Sequence, residues 1–543
     1  MNLGRILTIF LQLLVFLVPL SFAEDFEEGA RYIVKLKDGE SSNPFSRKIV
    51  RNANVTYVAE ELSDADLETR KLKNLGLVVV AGDEYEIEMR LKNHPLVSYS
   101  EIEKKYNFAG ALDGVDLPSD PNIAPWLPLL GLNKSRPNPD VYNSYGDSVL
   151  VAVIDTGLNI NHPYISSALS VNSLEYGTGS GDSDGNQYVD DVYGANVFDR
   201  SGNITETGTE HGSHVAGIIK SIRDQAIPDY PEAQKVQILP IRFIDGSGTG
   251  TSIGAVMAME YAMGRGARVV NASWGSIGED SFSQALYDSM LELYKRDVVM
   301  FAAAGNALNS STPANNNDVI PYFPALFNLP GLMAVGSITP NFNNGNTLLG
   351  IEYSSFSNYG PASVQIAAPG SYKTMGSFDF GILSMNAHFT NNFNVFKKMR
   401  GTSMATPVVA GIAAVMRAIN PGLSNYEVKN LILRNTVTHS ALSVVSSRGY
   451  AHAANSFSDA STYSATGTRP PASSPMYYGA SSNGRSMASD GASGGKAAGC
   501  GMIVDVSQNR EGPGGGNSIL LVTGLYFIAQ FIRRLRRIRT LSF

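Results

Sequence analysis

The stretch Val149-Leu150-Val151-Ala152-Val153-Ile154 is a continuous apolar run. Such a run, rich in β-branched residues and without polar alternation, is typical of a parallel strand that is buried on both faces of a sheet. Val269-Val270 and the run from Val298 to Ala303 have the same character. The run from Val236 to Ile241 is a weaker strand pattern, because Pro240 favours a sheet edge or the end of a strand.

Helical patterns occupy the intervals between these runs, at His214 to Arg223, Gly254 to Gly264 and Ser281 to Arg296. Alternation of buried strands with helices is typical of a doubly wound α/β domain, in which helices cover both faces of a mostly parallel sheet. We therefore predict one such domain over residues 120–460. Its active site is expected at the carboxyl ends of the strands.

Two segments precede this domain. Residues 1–23 contain Arg5, a long apolar run and the small residue Ala23, which is typical of a cleaved secretory signal peptide rather than of a membrane anchor. Residues 24–110 are predicted to form a small α+β module. Its predicted elements are strands at Tyr32 to Leu36, Val78 to Val80 and Val97 to Ile102 and a helix at Leu62 to Leu75. Its position between a signal peptide and a larger domain indicates a pro-segment.

Two further segments follow the domain. Residues 461–517 are rich in Ser, Gly, Ala and Pro, which predicts a flexible stalk. Residues 518–543 contain an apolar run from Ile519 to Ile532 and then an arginine cluster. As a helix this run spans about 21 Å, against roughly 30 Å of hydrocarbon, so it is short for a permanent membrane anchor. If it does anchor the chain, its arginines should stay on the cytoplasmic side.

Composition limits the classes of function. Of the 543 residues 43% are hydrophobic, and the formal net charge is −7, which predicts soluble globular domains and excludes a basic nucleic-acid-binding surface. Cys500 is the single cysteine, so no intramolecular disulfide can form in an oxidising destination. We expect a secreted or cell-surface protein, with tethering to a membrane through the tail as the alternative.

Three short motifs follow one another along the predicted domain. Asp155 ends the apolar run quoted above and precedes Thr156-Gly157, His211 opens the motif His211-Gly-Ser-His214-Val-Ala-Gly217, and Ser403 lies in Gly401-Thr-Ser403-Met-Ala-Thr-Pro407. Each alone has a structural alternative, since such residues also cap turns and helices. Together they supply what acyl transfer needs, namely a nucleophile, a base and a carboxylate that orients the base.

With these motifs in this order, the chain resembles the subtilisin family of serine proteases over about residues 120–460. The resemblance implies a subtilisin-like fold and endopeptidase activity on protein or peptide substrates. Ser213 stands where the family usually has threonine. The resemblance also implies that residues 24–110 form a ferredoxin-like propeptide, which assists folding and inhibits the enzyme until it is cut, here between Tyr106 and Asp120.

Further residues of the site come from the same resemblance. Asn306, in Ala302-Ala-Ala-Gly305-Asn306, matches the family's oxyanion-hole asparagine, and the backbone N–H of Ser403 is the expected second donor. Ser273-Trp274-Gly275 matches the family's strand beside the S1 pocket. These three residues and Gly305 are expected to bind substrate. The alternative for Trp274 is a core position. Tyr322 stands where the family often has a small residue, which predicts a narrowed S1 pocket.

An acidic loop before His211 predicts a calcium site, because calcium prefers six to eight oxygen ligands on a flexible loop. The loop resembles the calcium-binding insert of many extracellular subtilisin-like proteases, with an acidic solvated turn as the alternative. The expected ligands are Asp182, Asp184, Asn186, Tyr188 and Asp190. His214 lies three residues after His211, which does not match the spacing of zinc-binding helices and indicates structural packing.

Two other functions are compatible with a subtilisin-like fold. The domain could be a catalytically silent surface binding protein, but such a protein would be expected to have lost a triad residue. It could also be an acid-active serine-carboxyl peptidase, against which the intact motif at His211 argues. The tail resembles bacterial C-terminal sorting signals, and Gly499-Cys500-Gly501 is the suspected motif. This resemblance implies a membrane or a sorting enzyme as partner. The alternative for Cys500 is a free thiol.

Overall fold

The computed structural model describes residues 31–36, 77–81, 97–108, 126–132, 148–177, 181–307, 313–343, 347–374, 380–388, 395–472 and 476–477. The predicted signal peptide, the helix at Leu62 to Leu75, Cys500 and the arginine-rich tail lie outside them. In the early module, the strands β1 (Arg31–Leu36), β2 (Leu77–Ala81) and β3 (Val97–Ile102) form an antiparallel sheet in the order β2-β1-β3.

A mostly parallel sheet forms the centre of the following domain. Its parallel strands run in the order β13-β11-β9-β5-β7-β6. These strands are β5 (Val149–Asp155), β6 (Ala195–Asn196), β7 (Val236–Arg242), β9 (Val269–Ala272), β11 (Val299–Ala303) and β13 (Leu332–Phe342). Strands that extend the sheet beyond β13 are β14 (Leu348–Tyr353), β15 (Ile366–Pro369), β16 (Ser371–Thr374), β17 (Phe380–Met385), β18 (Phe396–Met399), β19 (Val437–Thr438) and β20 (Gly449–Tyr450).

A separate small sheet has the strand order β12-β10-β4-β8. It consists of β4 (Lys105–Phe108), β8 (Thr249–Thr251), β10 (Trp274–Ile277) and β12 (Tyr322–Phe323). Its strand β4 belongs to the end of the early module, whereas the other three belong to the α/β domain.

Six α-helices are found in the described part of the chain. They are α1 (His211–Ala226), α2 (Ser252–Gly264), α3 (Gln284–Lys295), α4 (Thr402–Ile419), α5 (Asn425–Arg434) and α6 (Ala453–Thr462). α1 and α2 contain the first two predicted helical patterns, whereas α3 is shorter than the pattern at Ser281 to Arg296, because Ser283 caps its N-terminus. Among the described residues, α4 alone is long and apolar enough to cross a membrane by length and composition, but 94% of it is buried within the protein, as expected for a core helix.

The two faces of β5 explain why its sequence is apolar throughout. Val151 and Val153 pack in one core cluster with α1 and α4, whereas Ala152 and Ile154 pack in another with α2 and α3. Successive side chains of a strand point to opposite faces, so a sheet covered by helices on both sides needs apolar residues at every position. The predicted doubly wound α/β fold is thus confirmed.

Pro240 lies inside β7 and not at a strand end. β7 pairs with β5 over its full length. On its other side it pairs with the two-residue strand β6, at Ile241 and Arg242, and forms a single bridge from Ile238 to Leu169. The missing N–H of a proline is tolerated where one side of a strand is only partly paired. Pro240 is therefore tolerated in the strand next to the edge strand β6, because β6 pairs with β7 only at Ile241 and Arg242.

The predicted stalk begins later than its composition suggested. Thr466 and Gly467 donate backbone N–H groups to Glu427, and Arg469 donates to the carbonyl of Lys295. Met476 and Tyr477, here called the strap, also contact the domain. The residues from 463 to 472 and the strap thus belong structurally to the α/β domain, because specific polar and aromatic contacts outweigh their Gly/Ser/Pro-rich composition.

Candidate active site

Asp155, His211 and Ser403 come from three different elements that meet at the carboxyl end of the sheet. Asp155 is the last residue of β5, His211 is the first residue of α1 and Ser403 is the second residue of α4. All three are buried. Nδ1 of His211 lies 2.7 Å from Oδ1 of Asp155. A carboxylate in this position fixes the imidazole tautomer so that Nε2 is the atom that can act as a base.

The hydroxyl of Ser403 is held by the segment that precedes β10. Ser403 Oγ donates to the carbonyl of Ser273 at 2.9 Å, and Ser273 Oγ donates to the carbonyl of Ser403 at 3.0 Å. The second bond is available because Pro407, four residues further along α4, has no N–H to donate to that carbonyl. A proline inside the helix therefore helps to tie the nucleophile's backbone to Ser273.

Asn306 is oriented by the residue next to Ser403. Its side-chain oxygen accepts hydrogen bonds from the backbone N–H of Thr402 at 3.0 Å and from Oγ1 of Thr402 at 3.1 Å. Because a backbone N–H can only donate, the acceptor end of the amide must face Thr402, and Nδ2 is the donor at the other end. The amide and the N-terminus of α4 are thus adjacent, which is the arrangement that an oxyanion needs.

A buried carboxylate that was not anticipated from the sequence supports His211. Glu206 accepts hydrogen bonds from the backbone N–H of Gly212 at 2.8 Å and from the hydroxyls of Thr156 and Ser213. Burial, with a smaller contribution from the nearby Asp155, raises the pKa of Glu206 to about 8. Through these hydrogen bonds Glu206 caps the N-terminal turn of α1. The N-cap residue of this helix, Glu210, makes no side-chain capping bond.

His214 packs beneath the site. Its Nε2 lies 3.0 Å from the carbonyl of Ile382 and 3.1 Å from that of Lys397, so this nitrogen carries a proton and donates. Burial, together with the proximity of His211, lowers the pKa of His214 to about 3. Within the described residues, the candidate metal cluster is elsewhere and does not include His214.

A groove beside Ser273 contains the chain's own strand β4. β4 pairs antiparallel with β10, with Phe108 opposite Trp274 and Asn107 opposite Gly275. On its other side it pairs with β8. The predicted edge at Ser273-Trp274-Gly275 thus does pair with an extended segment. The side chain of Trp274 is fully buried, so both interpretations of this residue hold: its backbone forms the edge and its indole packs in the core.

Tyr322 lies between two glycines of the predicted pocket. A Cβ atom on Gly275 would come within 2.3 Å of Cε1 of Tyr322, and a Cβ atom on Gly305 would come within 2.7 Å of its Cε2. Gly305 also has a φ of +94°, which favours glycine. The tyrosine ring therefore fills the space between the two backbone segments.

The acidic loop contains a cluster of carboxylates that overlaps the predicted ligand set only at Asp184. Ligand oxygens of Glu175, Asp184 and Asp191 lie within 4.8 Å of one another. Burial raises the pKa of Asp191, as expected for a carboxylate that is removed from water. An all-oxygen donor set of this kind fits calcium.

The other predicted ligands have different contacts. Asp182 accepts the backbone N–H groups of Asn186 and Gln187, and Asp190 accepts that of Gly181, so both carboxylates close turns of the loop. The amide of Asn186 donates to Asp184 and Asp191. Tyr188 is buried against the ring of Tyr261, at 4.8 Å between centroids. The predicted ligand set thus stays a prediction, and the carboxylates that the structure brings together are those of Glu175, Asp184 and Asp191.

The fold and the candidate site together define a doubly wound α/β protein that brings a serine, a histidine, an aspartate and an asparagine together at one sheet edge. A model of the subtilase family matches residues 146–469. This match covers more than half of the chain, so the protein belongs to the subtilase family, and the resemblance predicted from the motifs is confirmed.

Individual relatives agree with this assignment. Subtilisin-like protease 1 of Plasmodium falciparum is 30% identical over 316 residues, which are 56% of this chain and 42% of that protein. M-protease of Shouchella clausii is 26% identical over 422 residues, 77% of this chain and 88% of that protein. The chain thus spans less than half the length of the Plasmodium relative.

A solved structure supports the fold. Fervidolysin of Fervidobacterium pennivorans, described as a keratinolytic enzyme related to subtilisin, superposes with a TM-score of 0.54 at 19% identity, covering 79% of this chain and 61% of that one. At this identity the likeness concerns the fold alone.

Proposed function

We propose that this protein is a secreted serine endopeptidase that is made as an inactive precursor. The observation that carries the catalytic part is the 2.7 Å contact between His211 Nδ1 and Asp155 Oδ1, beside a serine at the N-terminus of α4. Family membership supports a protease, and the signal-peptide pattern of residues 1–23 supports secretion.

The proposed first step forms an ester on Ser403. Its hydroxyl rotates from the carbonyl of Ser273 towards His211 and attacks the scissile carbonyl while Nε2 of His211 takes the hydroxyl proton. Asp155 holds the resulting imidazolium. The C–N bond then breaks, and His211 gives its proton to the leaving amine. Water, activated by the same histidine, hydrolyses the ester and restores Ser403.

Asn306 and the N-terminus of α4 stabilise the negative charge that develops on the scissile oxygen. Thr402 holds the amide oxygen, so Nδ2 of Asn306 is already oriented as a donor before substrate binds. Preorganised donors of this kind need no rearrangement during the reaction. The backbone N–H of Ser403 is the second donor.

A fluorophosphonate probe tests this function, because it reacts covalently only with an activated serine. We expect labelling and peptide hydrolysis by the mature protein, and loss of both in Ser403→Ala and in His211→Ala with the fold retained in circular dichroism. The two losses should be similar, since members of such a triad act as a unit. Unlabelled wild-type protein would instead favour a silent binding protein.

The early module is proposed as an inhibitory pro-segment that docks on the domain. Glu101 of β3 accepts the hydroxyl of Ser283 at 2.6 Å and the backbone N–H of Gln284 at 2.8 Å, so it caps the N-terminus of α3. Tyr99 donates to Asp288 of the same helix at 2.9 Å. β4 then fills the groove at β10, where it would exclude substrate.

The register of β4 suggests where the pro-segment is cut. Phe108 is opposite Trp274, so the residue next in register, opposite Ser273, is Ala109, which lies outside the described residues. Ser273 contacts Ser403, so the carbonyl offered to the nucleophile should be that of Ala109. A small residue there agrees with the narrow pocket at Tyr322. We propose a cut between Ala109 and Gly110.

Calcium is proposed as a structural ion held by Glu175, Asp184 and Asp191. Bound there, it would neutralise carboxylates whose burial is otherwise costly and would stabilise the loop. It takes no part in the proposed reaction.

The C-terminal tail is proposed to hold the precursor at a membrane before processing near Cys500 or surface attachment. The short apolar run and arginine cluster of residues 518–543 support this part from the sequence, as does Gly499-Cys500-Gly501.

A further inference from the structure

β4 buries the side chain of Tyr106 in the domain, and the surroundings of this side chain bear on substrate choice. The backbone of β4 is paired on both sides, with β8 and with β10. Such pairing tolerates many side chains, so selectivity must come from pockets that take particular ones. Lys105 and Asn107 are exposed, whereas Tyr106 between them is fully buried. Among these three side chains, Tyr106 is therefore the one that a pocket of the domain encloses.

The walls of this pocket are aromatic. The rings of Tyr106 and Trp274 lie 5.4 Å apart between centroids, and Phe243 packs on Trp274 at 4.7 Å. The indole N–H of Trp274 donates to the carbonyl of Ile154 at 2.8 Å, which fixes the orientation of the ring. A rigid flat wall of this kind favours an aromatic guest over an aliphatic one.

The far end of the pocket is polar. Tyr106 Oη donates to the carbonyl of Ser281 at 3.0 Å in a buried hydrogen bond. Ser281 is itself held in place, because its Oγ lies 3.0 Å from Oγ of Ser276 and 2.9 Å from the carbonyl of Ile277. A guest without a donor would bury this carbonyl without replacing the bond, and an unsatisfied buried acceptor costs more than one hydrogen bond usually contributes.

We propose that this pocket makes the enzyme selective for tyrosine at the substrate position that Tyr106 occupies, three residues before the residue whose carbonyl is attacked. This inference rests on the proposed function. Phenylalanine matches the wall but not the Ser281 carbonyl, and leucine matches neither. We expect kcat/KM to favour tyrosine over phenylalanine by about tenfold or more, because sites that bind a hydroxyl reject analogues lacking it.

Peptides with the sequence of residues 103–114 test this selectivity on the mature enzyme, from which the early module has been cut. The position of Tyr106 carries tyrosine, phenylalanine, 4-fluorophenylalanine or leucine, and kcat/KM is measured for each. 4-Fluorophenylalanine is the matched control, since it is close to tyrosine in size but has no O–H donor. The tyrosine peptide should be cut about tenfold faster than both aromatic analogues, and leucine should be slowest.

The outcomes distinguish a failure of the tyrosine pocket from a failure of the proposed endopeptidase function. Equal rates for the three aromatic peptides, or a preference for phenylalanine, would overturn the tyrosine pocket while leaving the endopeptidase intact. If Ser403 is labelled by the fluorophosphonate but no peptide is cut, the same peptides are compared as competitors of labelling: the tyrosine peptide must compete best, and equal competition overturns the proposal. Neither cleavage nor labelling would contradict the proposed function and this inference with it.

Discussion

At the scale of single residues, the site depends on groups that hold others in place. Ser273 holds both the hydroxyl and the carbonyl of Ser403, and Thr402 holds the amide of Asn306. The candidate catalytic side chains are marked in the sequence by short motifs. The contacts that position them join segments far apart in the sequence, and no local pattern contains such contacts.

Substitution of Asn306 separates an oxyanion donor from a structural amide. Asn306→Ala should lower kcat by about 10²–10³ with little change in KM, the loss seen when such a donor is removed from a subtilisin. Asn306→Asp is the matched control, because it keeps an acceptor for Thr402 but has no Nδ2 donor. Steady-state kinetics should find both variants slow. Near-normal kcat in Asn306→Asp would mean that only the bond to Thr402 matters.

His214 should make the fold sensitive to acid. Its pKa is lowered to about 3 in the folded protein, so between that value and about 6.5 the unfolded chain binds more protons. Stability is therefore lost as pH falls below about 6.5, by up to roughly 1.4 kcal/mol per pH unit. The loss is measured by urea unfolding from about pH 7 to 4, because below about pH 6.5 this histidine is protonated in the unfolded chain but stays neutral in the folded protein until the pH approaches about 3. A Ser403→Ala background prevents self-digestion.

The variant His214→Asn should flatten this pH dependence, because asparagine keeps an N–H donor but does not titrate. His388→Asn, at an exposed position, is the control and should keep the wild-type slope. Identical slopes in all three proteins would assign the acid sensitivity to other groups.

Glu206 illustrates what the residue pattern could not reveal. Two acids, Glu206 and Glu210, precede α1, and either could cap it by sequence alone. The fold turns Glu206 under the helix, while Glu210 pairs with Lys397 from β18. The choice between them depends on a strand almost two hundred residues away, which no local pattern contains.

At the scale of elements, β4 determines the maturation prediction. Wild-type protein should lose its early module by a cut that leaves Gly110 at the N-terminus, as judged by N-terminal sequencing. Ser403→Ala should keep the longer form if the enzyme cuts itself. The same cut in both proteins would assign it to another protease, and a different start in the wild type would refute the register argument.

The acidic loop gives a second prediction at this scale. Chelation of calcium should lower the melting temperature, because an ion bound only by the folded state contributes about 2.7 kcal/mol at a free concentration of about one hundred times its Kd. Asp184→Asn and Asp191→Asn should remove most of the chelator effect. Asp182→Asn is the control: its carboxylate closes a turn and lies outside the cluster, so the chelator should still act on it.

Strands and helices of the α/β domain were largely predictable, whereas the carboxylate cluster in the loop was not. A buried strand such as β5 carries its own signal in its apolar run. In the loop, alternate spacing suggested a set of oxygen donors, but positive φ angles at Gln187 and Asp190 turn the backbone, and Glu175 enters from an earlier segment. Such a cluster is assembled by backbone turns, which the spacing of acidic residues does not encode.

At the scale of the whole molecule, the fold class followed from alternation of elements, while the extent of the domain did not. Composition predicted a stalk from residue 461, yet Thr466 and Arg469 are bound to α5 and to the end of α3. Gly/Ser/Pro content describes the freedom of an isolated chain and does not register partners that the rest of the protein supplies.

The tail gives the prediction at this scale. Intact-mass analysis of the protein recovered from producing cells should find the chain shortened or modified near Cys500, if the tail serves sorting. A mass that still includes residues 501–543, with Cys500 unmodified, would rule out processing and leave a plain anchor. The measurement uses the catalytically inactive Ser403→Ala chain in parallel, so that self-cleavage is distinguished from processing by another enzyme.

The strap has a mechanical consequence. Tyr477 packs on Phe282 and Phe323, and Phe323 is paired with Ser276 of β10, the strand that borders the substrate groove. The backbone carbonyl of Met476 also accepts a hydrogen bond from Asn328. If the chain is tethered by its C-terminus, the strap is the described part of the domain that lies nearest to the tether in sequence. Tension transmitted through the strap would act on the outer wall of the groove, so that tension and substrate would act on the same strand, β10.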